Sequence, residues 1–238
     1  MTPEEKFNEL KVLFKRLSDD MCLLVEAFHA WRALVFSRSI PEMGEEQANK
    51  NATILRRHND FFQTVEYSLL NTVILGTSKF YDKHPKALSI DVLIQKLREY
   101  KDDITADLLE RIRPGTVFFS EEERTEFVAF KEEDALEVEA LRQKNEAVIK
   151  NLKDIRDKSV AHTDIIPIKG SIIPNEVERL INDTQEIFNK LSRFERSTTM
   201  WDHLGDNAKS DVTFILENLE RGESERQREI DEKWGITR

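Results

Sequence analysis

All six prolines of this 238-residue chain stand where a helix would begin or end: Pro3, Pro41, Pro85, Pro114, Pro167 and Pro174. Proline fixes φ and has no amide hydrogen, so it is tolerated in a first turn or a connection and breaks a helix interior. Between these points apolar residues recur every three or four positions, and strand-like alternation is nearly absent. Seven glycines and six prolines amount to under half of the ~12% that ordinary proteins carry. The expected fold is all-α: an antiparallel bundle of long helices over residues 1–196, with an appended C-terminal helix and charged tail over 197–238 packed on the bundle or extending from it.

The first helix is expected over about 3–38. Thr2 and Glu5 have the spacing of a capping box, with Pro3 in the first turn. Its stripe is Phe7, Leu10, Phe14, Leu17, Met21, Leu24, Phe28, Trp31 and Val35. A coiled coil would show the same steps, but bulky Phe and Trp favour a bundle core. A second long helix is expected over 45–82, with Gly76 marking a close contact or a bend. Shorter helices follow near 89–101 and 104–113. A long one runs from Ser120 to about 161, bent near 131–134. Two more cover 175–195 and 206–221, and the tail after them is expected to fray.

Composition excludes several function classes. Cys22 is the only cysteine, so no intrachain disulfide can form. No run approaches the ~18 apolar residues of a membrane helix. The acidic start, Met1-Thr2-Pro3-Glu4-Glu5, does not read as a signal peptide. The expected location is cytoplasmic. A net charge of −10 argues against coating nucleic acid non-specifically, so any phosphate chemistry needs a local basic patch.

One such patch exists. Residues 141–158, "LRQKNEAVIKNLKDIRDK", hold six bases against three acids, whereas residues 120–140 hold nine acids against two bases. The seam of this helix is Val138, Leu141, Asn145, Val148, Leu152, Ile155, Ser159 and His162, so its last turn exchanges apolar seam residues for Ser159 and His162. In a continuous α-helix, Arg156 and His162 would be separated by about 9 Å of rise, with an angular offset near 120°. Both heads then border one cleft, which a second copy of the chain would close. The plain alternative is a solvated charged face ending in a satisfied histidine.

"IRDKSVAHTD", residues 155–164, resembles the motif of the HEPN superfamily (higher eukaryotes and prokaryotes nucleotide-binding). That motif is an arginine, a polar residue, and a histidine after four to six intervening positions near a helix end. Here Arg156 precedes polar Asp157, and five residues separate Arg156 from His162. Residues 67–97, "YSLLNTVILGTSKFYDKHPKALSIDVLIQKL", resemble the abortive-infection AbiU-like branch of that superfamily. The resemblance implies a helical bundle that forms a homodimer with both motifs at the interface. It also implies a metal-independent endoribonuclease, with no cofactor, from a phage-defence or toxin–antitoxin setting. Arg156 and His162 would be catalytic, Asp157 and Ser159 supporting, and Lys150, Lys153 and Lys158 would contact RNA phosphate. A partner antitoxin or regulator protein would fit the same setting. Some members of the superfamily are non-catalytic and bind a partner protein or a nucleotide, and that alternative stays open.

Other signals are weaker. Glu26 and His29 form one Glu-x-x-His, but a di-iron bundle needs two and further glutamates. No metal site is expected. His58, His84 and His203 have no ligand-like spacing, and there is no Walker or Rossmann glycine pattern.

Overall fold

The computed structural model describes residues 1–84, 86–113, 120–160, 172–196 and 201–235. Every regular element among them is a helix. In chain order they are α1 (Pro3–Phe36), α2 (Ile40–Met43), α3 (Glu45–Arg57), α4 (Asn59–Phe80), α5 (Ile90–Tyr100), α6 (Ala106–Ile112), α7 (Glu121–Thr125), α8 (Glu132–Lys144), α9 (Glu146–Ile155), α10 (Pro174–Leu191) and α11 (Asp202–Trp234). A π turn over Arg156–Val160 follows α9, and a 3₁₀ turn over Ser192–Glu195 follows α10. The all-α bundle expected from the apolar period is what the chain forms.

Two compact units share these helices. One comprises Met1–Leu24 and Ile74–Trp201, the other Val25–Val73 and Asp202–Arg238. In the first, the α1 stripe Phe7, Leu10, Phe14, Leu17, Met21 and Leu24 is buried. Phe14 and Phe7 meet Phe194, and Phe188 of α10 meets Phe14, Phe80 and Trp201, at ring separations between 5.4 and 6.0 Å. In the second unit, Leu34, Ile54, Leu55, Phe62 and Leu216 form the core, flanked by Val65, Val212 and Leu219. Arg57 pairs with Glu223, and Lys50 with Glu220 at 3.2 Å, along the packing of α3 on α11.

The helix ends follow local chemistry. The Glu5 amide donates to the Thr2 hydroxyl at 3.2 Å, and the Thr2 amide donates to the Glu5 carboxylate at 2.8 Å. This is the reciprocal box that the sequence suggests. Thr105 and Ser120 likewise accept from the amides of Leu108 and Glu123.

The differences are informative. The helix expected over 45–82 divides at His58, before Asn59 and Asp60, whose short polar side chains compete with helical hydrogen bonding. The helix expected from 120 to 161 leaves helical geometry between Thr125 and Glu132 and breaks again at Asn145. Asn145 is buried, and its side-chain amide donates to the Leu141 carbonyl (2.9 Å) and the Asp183 carboxylate (2.6 Å). Back-bonding of this kind bends or ends a helix. The last helix does not stop near 221. It continues to Trp234, because its charged residues are good helix formers, and closes at Gly235, whose φ of +62° suits a glycine stop.

Gly76 makes no tight contact. α4 is continuous through it, and an added Cβ would sit 3.5–3.9 Å from Leu24, an ordinary packing distance. Gly76→Ala is therefore expected to stabilise the protein by about 0.5–1 kcal/mol through helix propensity and a less flexible unfolded chain, read from the urea midpoint. The close approach lies at Gly205, where a Cβ would fall 2.6–2.9 Å from the His29 ring.

Candidate functional site

The Asn145 break sets the start of α9, and α10 fixes it. Asp183, a buried carboxylate on α10, accepts from Asn145 and forms an ion pair with Lys144 at 2.9 Å. One residue on, the Thr184 hydroxyl shares a 2.7 Å hydrogen bond with the Tyr81 phenol, whose pKa burial pushes up to about 12. Arg142 lies over the Tyr81 ring at 5.8 Å and pairs with Asp91 at 2.7 Å. Apolar periodicity alone does not single out Tyr81, Asp183 and Thr184 as structural polar residues. The signal was present, because the α10 stripe of Val177, Leu180, Ile181, Ile187 and Phe188 is interrupted at inward positions 183 and 184.

From this anchor α9 runs with Val148, Leu152 and Ile155 buried, as the seam requires. Lys150 and Lys153 are exposed on the same helix, and Lys158 is exposed just beyond it. The basic stretch thus divides in two. Arg142 and Lys144 are held by Asp91 and Asp183 and belong to the scaffold. Lys150, Lys153, Arg156 and Lys158 form the outward half, and the three lysines make no ion pair among the described residues.

At Arg156 the helix changes character. Residues Arg156–Val160 form a π turn, in which hydrogen bonds reach five residues instead of four. Such widened turns are rare and recur at functional sites. The angular offset calculated for a continuous α-helix therefore does not apply between Arg156 and the residues after it. Arg156 is half-buried. Its Nε and Nη2 both contact Oδ1 of Asp157, at 2.8 and 2.7 Å. Ser159 lies within the turn, but its side chain is outside the described residues, as is His162 altogether. The structure thus joins Arg156 to Asp157 beside three exposed lysines.

Among the described residues, no three His, Cys, Asp or Glu side chains are grouped as metal ligands would be, and no helix is long and apolar enough to cross a membrane. No curated protein and no solved structure matches the chain. A family model does: HEPN AbiU2, described as AbiU2, matches residues 7–215. The match reaches well beyond residues 67–97 and 155–164, which carry the resemblance in the sequence, and takes in most of α1, all of α10 and the first part of α11. With most of its length covered, including the π turn and the break that sets it, the chain belongs to the AbiU2 family of HEPN proteins.

Proposed function

We propose that this protein is a metal-independent endoribonuclease of a phage-defence or toxin–antitoxin system. The observation that carries the reading is the half-buried Arg156, presented on a π turn at the end of a helix that exposes Lys150 and Lys153 beside Glu146 and Asp154, with Lys158 exposed just beyond. RNA brings its own nucleophile. In the proposed reaction the imidazole of His162 takes the proton of a 2′-hydroxyl, a task suited to a side chain that changes charge near neutral pH. The 2′-oxygen bonds to phosphorus, the bond from phosphorus to the 5′-oxygen breaks, and that oxygen leaves with a proton. The fragments end in a 2′,3′-cyclic phosphate and a 5′-hydroxyl. The guanidinium of Arg156 holds the phosphate and offsets its developing charge. Lys150, Lys153 and Lys158 bind neighbouring phosphates, and Ser159 adds a hydrogen bond. A homodimer would supply a second motif, and with it a second imidazole to protonate the leaving oxygen. An antitoxin or regulator protein would cover the same surface. The proposed compartment is the cytoplasm.

The test is incubation of purified protein with mixed RNA in EDTA, beside a His162→Ala variant. Cleavage that survives EDTA and disappears in the variant is the expected result. The pairing of Arg156 with Asp157 favours a second reading, in which the chain is a non-catalytic HEPN module binding a partner protein or nucleotide. Intact RNA with both proteins would establish that reading instead.

A further inference from the structure

Arg156 and Asp157 are sequence neighbours, and neighbours on a helix do not face each other. Their contact therefore requires the guanidinium to bend back over its own turn. Nothing else one turn away would hold it. The positions three to five residues before Arg156 are Lys153, Leu152 and Asn151, and those after it are Ser159, Val160 and Ala161, none of them acidic. The edge engaged is Nε with Nη2, both on a single carboxylate oxygen. That edge is one of the two by which a guanidinium grips a phosphate. Asp157 is about half exposed, so its carboxylate can turn into water when displaced.

From this geometry we propose that Asp157 is a built-in competitor for phosphate, occupying the fork of Arg156 until a phosphodiester displaces it. The proposal rests on reading the π turn as a phosphate site. Its consequence is selection by polyanion length. A lone phosphate must displace the carboxylate and then tolerate its charge nearby. An RNA strand does the same at one phosphate but places others against Lys150, Lys153 and Lys158. Asp157 thus sets one displacement cost for any phosphate, which a strand offsets through its lysine contacts and free phosphate or a mononucleotide does not.

The test is equilibrium binding of a fluorescent 2′-O-methyl ribo-oligomer, which lacks the nucleophile and cannot be cleaved, with inorganic phosphate as a competing probe. Asp157→Asn keeps the shape and removes the charge, and is expected to tighten oligomer binding by about two- to fivefold at low salt, the range measured for partly exposed ion pairs. It should tighten inorganic phosphate by a similar factor. Asp157→Glu should bind as wild type does. In an Arg156→Ala background, Asp157→Asn should have no effect. A gain that persists without Arg156 would overturn the proposal, because Asp157 would then act as general surface charge. No gain from Asp157→Asn, with Arg156→Ala still weakening the oligomer, would also overturn it and leave the phosphate site intact. Binding indifferent to Arg156→Ala would remove the phosphate site itself.

Discussion

On the proposed ribonuclease reading, Arg156→Ala is expected to slow RNA cleavage by about 10²–10³-fold, the usual cost of removing one donor aimed at developing transition-state charge. Single-turnover kinetics on a labelled RNA would measure it. The size follows from where the side chain sits. Arg156 is half-buried at the end of α9, and its head is held in place by the Asp157 carboxylate. The lysines cannot substitute for it. An ammonium is a point charge, whereas the guanidinium presents two parallel donors matched to two phosphate oxygens. Arg156→Lys should therefore keep most of the affinity for RNA while recovering only part of the rate. Lys153→Ala, by contrast, should weaken binding and flatten its salt dependence with little change in rate at saturation. A loss of less than tenfold for Arg156→Ala would place the stabilising group elsewhere.

Much of the fold was legible because helices write their period into the sequence. The α1 stripe from Phe7 to Trp31 is buried throughout, and the Thr2–Glu5 box closes as its spacing suggests. What escaped depended on tertiary partners. Asn145 was read as one member of an unbroken seam. Only Asp183, 38 residues later, turns that asparagine into a break. The glycine assignment failed for the same reason. Gly76 faces the side of Leu24 with room to spare, while Gly205 meets a histidine ring from α1 that no local pattern announces. The end of α11 shows the opposite error. A charged, apolar-poor tail was expected to fray, yet nothing in "ESERQREIDEKW" opposes a helix until Gly235. In the candidate site, the motif and its exposed lysines were visible as residue types at spacings. The division of the basic stretch was not, because whether Arg142 and Lys144 serve the scaffold depends on Asp91 and Asp183 arriving from other helices. Nor was the π turn, since the seam positions that would register its extra residue, Ser159 and His162, are polar.

Phe188→Ala is expected to destabilise the protein by about 3–5 kcal/mol, the range found when a buried aromatic is truncated and its cavity fills only partly. Phe188 is 1% exposed, and its ring contacts Phe14 on α1, Phe80 at the end of α4, and Trp201. Removing it leaves three rigid rings from three different segments around one void. Rings cannot flow inward as a methionine might, so the cost should lie in the upper part of that range. Typical domains hold only about 5–15 kcal/mol in total, so the variant would lose a large share of its margin. Chemical denaturation followed by near-ultraviolet circular dichroism would measure the loss, because Trp201 reports on the same cluster. Leu136→Ala is the matched control. That side chain is 71% exposed on α8 of the same unit, and its loss should stay within about 0.5 kcal/mol. A cost below about 1 kcal/mol for Phe188→Ala would mean that the surrounding rings close the gap. The aromatic cluster would then be a loose filling instead of the rigid joint that ties α10, and through Asp183 the start of α9, to the first helix.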